Sequence, residues 1–414
     1  MSTRVLLVLL LIALALSAPY TNRADDLVSD DSDGDDTEDG KTINGKDFPA
    51  DFIFGAASSA YQVEGAANED GKGPNKVKDH SSGKVADDSY HRYKTGKTLR
   101  KMLSMLKDLG FDAYRFSIAW TKILPRMQPV ATIFHLDLPQ ALEDEYRGFL
   151  NKTIVSDFAD YAWLCFRLFG DRIKHWITIN EPFSYSVFGY AYGTFPPNRC
   201  SGDQSALHGN YAFFVSRYVN SVTSDCKEGN SGTEPYLVSH HLLLAHAAAV
   251  KVYRGENFQK SQKGQIGITL NVDWAVPYDD QSEKDQDAAK RALAFMYGWF
   301  MDPLYNGTYP NVMVTHVKER LPKFSKSESE MVKGSYDFIG INYYTASYSI
   351  DRPCLYGRTG NYLTDSCVNA TFNNVGRLGL PSIVRLRGQR TFGMRKSSYR
   401  PQLPNLMQPR VQTA

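Results

Sequence analysis

The sequence predicts an α/β fold in which a parallel sheet closes into a (β/α)8 barrel, with about six of the eight strands present. Two observations indicate it: short apolar runs rich in β-branched residues alternate with helical patterns, and most runs finish on polar side chains. In a closed barrel the carboxyl ends of the strands converge on one face, so these side chains would surround one pocket. A doubly wound sheet would need a glycine-rich phosphate turn after its first strand, and the sequence has none there.

Six segments are predicted as strands by their apolar character, and they cover 51–62, 113–120, 129–139, 175–182, 265–274 and 337–345. Amphipathic patterns such as "IVSDFADYAWLCFRLFGDRI" lie between several of them and predict crossover helices. Between the second and third strands, however, Thr121 to Gln128 offers only 8 residues. Because a parallel crossover normally takes a dozen or more residues, we expect this connection to be strained.

Composition restricts the classes of function. Hydrophobic residues make up 42% of the 414-residue chain, which suffices for a sizeable core and argues against a disordered protein. The formal net charge is +2, from 47 basic and 45 acidic residues. The whole chain therefore gives no electrostatic reason to expect nucleic acid or an anionic membrane as a partner.

The N-terminal segment has the layout of a cleaved secretory signal. Residues 1–18, "MSTRVLLVLLLIALALSA", combine one Arg, an apolar run and small residues, and the run is short for the alternative, a membrane anchor. Residues 19–47 follow as an acidic leader of disordered composition, with 9 acids between Asp25 and Asp39. We therefore expect a chain of the secretory pathway (extracellular, vacuolar or in the lumen of the endoplasmic reticulum) that is free of the membrane after cleavage.

Sequons and cysteines fit that compartment. The chain has three predicted N-glycosylation sites, at Asn151, Asn306 and Asn369. Cys200 and Cys226 flank a polar loop and are predicted to form a disulfide, whereas Cys165 lies on an apolar helix face and is predicted to be a buried thiol. Cys354 and Cys367 could also pair, although nothing in the sequence forces it.

The stretch "HWITINEPFSY" carries the strongest chemical signal. It is an apolar strand pattern that ends in Asn-Glu-Pro, so that Glu181 would stand at the mouth of the barrel. A glutamate placed before Pro182 at a strand end has few structural roles. Hydrolysis of a glycosidic bond needs two carboxylates, one on each side of the anomeric carbon, so Glu181 requires a partner.

Seven motifs between Phe52 and Asp365 are similar to those of glycoside hydrolase family 1, the β-glucosidases and myrosinases of plants. They are "FIFGAASSAYQVEGAANEDG", "DSYHRYK", "YRFSIAW", "FHLDLPQALEDEYRGFL", "HWITINEP", "SGTEPY" and "DFIGINYYT". The resemblance implies a retaining enzyme that acts on small-molecule β-glucosides, with no metal and no organic cofactor. In myrosinases the motif that resembles "TINEP" has Gln in place of Glu. By this resemblance, Glu181 points to the ordinary O-glucosidases.

The resemblance also implies roles for single residues. Glu181 resembles the general acid/base that protonates the glycosidic oxygen and later activates water. Arg115 and Tyr344 resemble residues that hold the nucleophilic carboxylate. The positions that resemble the substrate-binding pocket are Gln62, His135, Asn180, Asn342 and Tyr344. Apart from the resemblance, Arg115 could pair with a structural carboxylate and His135 could be a core histidine.

The sequence departs from the family where the nucleophile should stand. The family carries it as the Glu of an "I/V-T-E-N-G" motif, which is absent here, and the last glutamate is Glu330. Beyond Tyr344 the acids are Asp351 and Asp365, in turn-like surroundings. We therefore expect residues 48–375 to form a partial family barrel. Residues 376–414 form a basic tail that is either a segment for an anionic partner or the product of a shifted reading frame or misjoined exon.

Two functions remain open at this point. The first is a β-glucosidase-type O-glycosyl hydrolase by family, inactive as written because its nucleophile segment is missing. The second is a non-catalytic remnant that binds a glycan or a partner. The second carboxylate is the feature that distinguishes them.

Overall fold

The computed structural model describes residues 55–58, 104–108, 111, 113–117, 128–201, 226–354 and 360–371. Seven strands form one sheet in chain order: β1 (Gly55–Ser58), β2 (Ala113–Ser117), β3 (Gln128–Phe134), β4 (His175–Asn180), β5 (Gln265–Pro277), β6 (Phe338–Asp351) and β7 (Val368–Thr371). The first six pair in parallel, each with the next. Each of the six predicted segments contributes one of them, which confirms an incomplete (β/α)8 barrel.

The last two parallel strands run further than the sequence predicted, and β7 was not predicted. Strands β5 and β6 continue in register from Trp274↔Ala346 to Pro277↔Ser349, beyond a register shift after Val272. The extension of β6 then pairs antiparallel with β7, where Asp351 faces Val368. These additions depend on cross-strand hydrogen bonds, which an apolar pattern within one segment does not report.

The helices lie in the connections between the strands. They are α1 (Gln140–Tyr146), α2 (Ile154–Phe169), α3 (Pro182–Tyr190), α4 (Glu234–Gly255), α5 (Phe258–Gln262), α6 (Glu283–Leu293), α7 (Trp299–Asn306), α8 (Asn311–Val317), α9 (Lys326–Val332) and α10 (Tyr362–Asp365). A π turn, Ala294–Gly298, links α6 to α7. No helix in the described ranges is long and apolar enough to cross a membrane.

Helix α4 forms the centre of the helical layer. It is apolar around most of its circumference and packs against α2, α3 and β4, as expected for a helix that is buried on all sides. Its His246 lies within hydrogen-bond distance of Thr178 Oγ1 on β4, at 2.7 Å, and burial lowers the pKa of His246 to about 3. This histidine is therefore a neutral core residue.

Helix α2 buries one face against this layer. Phe158, Cys165 and Phe166 are buried, and the Phe166 ring meets Trp176 of β4 edge-on at 5.1 Å. The buried Cys165 is a free thiol, as predicted. Disulfides join Cys200 to Cys226, as predicted, and Cys354 to Cys367, the pair that the sequence left open.

Several predicted features lie outside the described residues: the signal (1–18), the acidic leader (19–47), the connection after β2, Gln62 and the basic tail (376–414). Of the three sequons, Asn151 and Asn306 are exposed, whereas Asn369 in β7 is half-buried. Glycosylation at these positions stays a prediction.

Candidate active site

The turn from β4 into α3 positions Glu181. Strand β4 is buried up to Asn180, and Pro182 begins α3 with the fixed φ that suits a first helical residue. Glu181 between them has φ 49° and ψ 61°, a left-handed conformation that costs a non-glycine residue about 1 kcal/mol or more. Its backbone N–H donates to Thr269 O of β5 at 2.8 Å, and its carbonyl accepts from Tyr185 N at 3.2 Å. The strained turn is thus held by both neighbouring elements.

Three side chains converge on the Glu181 carboxylate. Asn342 Nδ2 and Tyr344 OH, both on β6, donate to Oε1 at 2.5 and 2.9 Å. Ser184 Oγ, in the first turn of α3, donates to Oε2 at 2.8 Å. Both oxygens therefore accept hydrogen bonds, which fixes the plane of the carboxylate at the mouth of the sheet.

A second group of polar side chains lies beneath the carboxylate. The buried Arg115 guanidinium of β2 donates to Asn180 Oδ1, to Thr132 Oγ1 at 3.2 Å and to Asn342 Oδ1 at 3.3 Å. Asn180 in turn lies 3.2 Å from His135 Nε2 through its Nδ2 atom. One hydrogen-bonded network therefore crosses strands β2, β3, β4 and β6.

This network brings together most of the residues that the sequence singled out: Arg115, His135, Asn180, Glu181, Asn342 and Tyr344. They come from four strands that are far apart in the chain and meet because parallel strands end on one face. Sequence reasoning missed Ser184, Thr132 and Asp273. Ser184 follows Glu181 by three residues, a spacing that places the two on the same side of a first helical turn.

Asp273 is a second carboxyl group near the site. It lies on β5 two residues after Asn271, and Asn271 is the register partner of Asn342. Burial raises the pKa of Asp273 to about 7, and the Glu181 charge adds to this effect. Alternation along a strand would have indicated that Asp273 shares a face with Asn271.

The two acids that the sequence weighed as partners for Glu181 have other contacts. Asp351 is the last residue of β6, a strand end rather than the turn-like position expected, and pairs with Arg291 at 2.5 Å. Asp365 of α10 accepts from both terminal nitrogens of Arg320, at 2.8 and 2.6 Å. Neither carboxylate contacts Glu181 in the part of the chain that the structure describes.

One group among the described residues has ligand atoms close enough together to suggest a metal site. The atoms of His316, Cys354 and Cys367 lie within 4.8 Å of one another. The two cysteines form a disulfide, however, and a metal needs the thiolate form. With the disulfide formed, this group does not fit a metal ion.

Comparison with known proteins gives a consistent result. The sequence model of glycosyl hydrolase family 1 matches residues 44–128 and 126–374 of this chain. Raucaffricine-O-β-D-glucosidase of Rauvolfia serpentina is 45% identical over 385 residues, which cover 84% of this chain and 69% of the relative. The cyanogenic β-glucosidase of Trifolium repens is 45% identical over 377 residues, covering 82% and 83%. A furostanol glycoside 26-O-β-glucosidase of Hellenia speciosa is 48% identical, and this chain spans 59% of its length.

Solved structures agree with these relatives. A rice β-glucosidase in a covalent complex with glucose superposes with a TM-score of 0.68 at 40% identity, covering 80% of this chain and 72% of that one. A β-glucosidase of the fungus Humicola insolens in complex with glucose gives a TM-score of 0.66 at 38% identity, covering 79% and 70%. The fold, the order of the strands and the matched sequence lead to one conclusion: the chain belongs to glycosyl hydrolase family 1.

Proposed function

We propose that this chain binds small-molecule β-glucosides through the Glu181 network and that, as written, it does not hydrolyse them by the retaining mechanism. The similar plant proteins are named as β-glucosidases, which supports the substrate class. Glu181 takes the position of the acid/base, and Asn180, Asn342 and His135 supply hydrogen-bonding groups for sugar hydroxyls. The missing partner is the nucleophilic carboxylate that would form the glycosyl-enzyme intermediate.

The contact that carries this proposal is the hydrogen bond from Tyr344 OH to Glu181 Oε1, at 2.9 Å. By resemblance, Tyr344 and Arg115 would hold the nucleophile. Here the Tyr344 hydroxyl donates to Glu181, and the Arg115 guanidinium donates to the oxygens of Thr132, Asn180 and Asn342. Among the described residues, Tyr344 thus contacts Glu181 directly, and Arg115 contacts Asn342, which itself donates to Glu181.

The test combines binding and turnover. An aryl β-thioglucoside, which resembles the substrate but resists hydrolysis, should bind the purified chain in calorimetry, and Glu181→Gln should weaken this binding. The corresponding aryl β-glucoside should be hydrolysed no faster than in buffer, because the covalent step lacks its nucleophile. Failure to bind the thioglucoside would refute the proposal that the Glu181 network binds β-glucosides. Hydrolysis of the aryl β-glucoside by the wild-type chain that is lost in Glu181→Gln would refute the proposal that the chain is inactive.

We also propose that the protein enters the secretory pathway, because residues 1–18 have the layout of a secretory signal. We expect glycosylation there at Asn151 and Asn306, because both side chains are exposed. In each case the side-chain Oδ1 accepts from the hydroxyl of the sequon threonine, at 2.9 Å for Thr153 and 2.8 Å for Thr308. Removal of N-glycans from protein made in plant cells should increase gel mobility. An unchanged mobility together with an intact N-terminal Met1 would contradict the proposal.

A further inference from the structure

Asp273 is a partly buried titratable group that the function proposed above does not use. Its Oδ1 atom is buried and has no hydrogen-bond partner among the described residues, and the same holds for Asn271 Oδ1. Buried polar atoms are nearly always satisfied, and an unsatisfied carboxylate oxygen costs more than a neutral one. Strand β5 therefore presents two unsatisfied oxygens, two residues apart, beside the Glu181 network.

The register of the sheet places these oxygens on the pocket side. Asn271 pairs with Asn342, whose side chain contacts Glu181, so Asn271 shares that face. Asp273 lies one pleat further toward the carboxyl end of β5, where the register shift in β6 sets it opposite the segment that contains Tyr344. The electrostatic effect of Glu181 on Asp273 agrees with this placement.

The surroundings of Asp273 favour the neutral acid. In the described part of the chain, the titratable groups that interact electrostatically with Asp273 include the Glu181 carboxyl from the end of β4 and the Tyr343 phenol on β6, and the β6 segment opposite Asp273 contains Tyr344. Burial and the Asp273 charge both raise the pKa of Tyr343, so this phenol stays neutral. The neighbour in the π turn is Met296, whose sulfur accepts from Asp273 N at 3.4 Å. No described cation pairs with Asp273.

We propose that Asp273 is a further ligand-binding residue of this pocket, which donates a hydrogen bond from its protonated carboxyl group to an oxygen of a neutral, hydroxylated ligand. The proposal rests on the function proposed above. A ligand that fills the pocket removes the remaining water from the partly exposed side chain, and this further disfavours the ionised form. Binding should therefore take up a proton where Asp273 would otherwise be ionised.

Proton uptake on ligand binding distinguishes a ligand-binding Asp273 from a merely structural one, which would take up no proton. Since the pKa of Asp273 is about 7, the thioglucoside should bind the wild-type chain about ten-fold more weakly at pH 8 than at pH 6. Calorimetry near pH 7, in buffers with different ionisation enthalpies, should show uptake of a fraction of a proton. Asp273→Asn keeps an N–H donor but cannot titrate, so it should bind with neither the pH dependence nor the uptake.

The matched control is Asp302→Asn on α7. Burial alone raises the pKa of Asp302 to about 6, and Glu181 is not among the causes. This variant should keep the proton uptake of the wild-type chain. Affinity that is constant or rises between pH 6 and pH 8, or uptake that persists in Asp273→Asn, would overturn the assignment and leave the proposed function standing. Absence of binding at every pH would overturn both.

Discussion

Two aspartates illustrate how the helical layer and the pocket of this protein differ: Asp365 is buried as a whole, whereas Asp273 is partly exposed but has one buried oxygen. Asp365, in the helical layer, accepts two hydrogen bonds from Arg320 and a third from Tyr236 OH at 2.7 Å. Asp273, at the pocket, has a buried oxygen without a partner among the described residues. The first is surrounded by donors as a structural ion pair should be, whereas the second lacks the partners that would stabilise its charge. The contrast separates a stabilising carboxylate from one available to a ligand.

The largest expected effect is on the pH dependence of stability. The pKa of Asp273 is raised to about 7 in the folded chain, above its ordinary value, so between about pH 4 and pH 7 the folded state holds a proton that the unfolded state has lost. Stability from this group therefore falls as pH rises across that window. Asp273→Asn should remove this fall, by about 4 kcal/mol at most between pH 4 and pH 8.

Urea denaturation of the wild-type chain, Asp273→Asn and Asp302→Asn at pH 4, 6 and 8 would measure this effect. Asp302→Asn controls for burial of an acid away from Glu181 and should remove a smaller fall, because the pKa of Asp302 is raised to about 6. Parallel stability curves for wild type and Asp273→Asn would show that Asp273 is ionised in the folded chain and that the contrast with Asp365 is wrong.

The next largest effect is expected for Asp365, whose carboxylate oxygens accept hydrogen bonds from Arg320 and Tyr236. Asp365→Asn leaves the partly exposed Arg320 charge without its partner and should lower the free energy of unfolding at pH 7 by about 3 kcal/mol. Asp287→Asn is the matched control, because Asp287 forms an exposed pair with Lys290 on α6 and should change nothing measurable. Equal, small effects of the two substitutions would remove the structural role assigned to Asp365.

The smallest effect tests the orientation of Glu181. Tyr344→Phe removes the donor to Oε1 and should weaken thioglucoside binding about five-fold, the equivalent of one hydrogen bond of about 1 kcal/mol. Tyr348→Phe, four residues later on the same strand, removes a hydroxyl that does not contact Glu181 and should leave the affinity unchanged. An equal loss in both variants would mean that β6 packing, rather than the contact to Glu181, is responsible.

The sequence predicted the parts of the fold that depend on local pattern. Strand β4 and the position of Glu181 follow from an apolar run that ends before Pro182, and the structure contains both. Strand β7 was missed because four residues, "VNAT", carry no periodic signal and are a strand only by pairing with the extension of β6. That extension in turn depends on its register with β5, which is a non-local property.

The candidate site shows the same division. Its residues could be singled out from motifs, but the partner of Tyr344 could not, because a hydroxyl group donates to whichever acceptor the fold places within reach. Asp273 was missed because the family carries its nucleophile after Tyr344, whereas Asp273 lies on β5, the preceding strand. Its environment comes from three elements, β4, β5 and β6, and no single segment contains that information.

The most direct test of the central claim, a formed glucoside pocket with one catalytic carboxylate, is the stereochemistry of an azide reaction. The purified chain would be incubated with dinitrophenyl β-glucoside and sodium azide, and the sugar product identified by NMR. Azide that replaces a missing nucleophile displaces the β-linked leaving group once, with inversion, so we expect α-glucosyl azide and, without azide, no hydrolysis above the rate in buffer. β-Glucosyl azide would require two displacements through a covalent intermediate. That product, hydrolysis faster than in buffer without azide, or no azide product at all would contradict this claim.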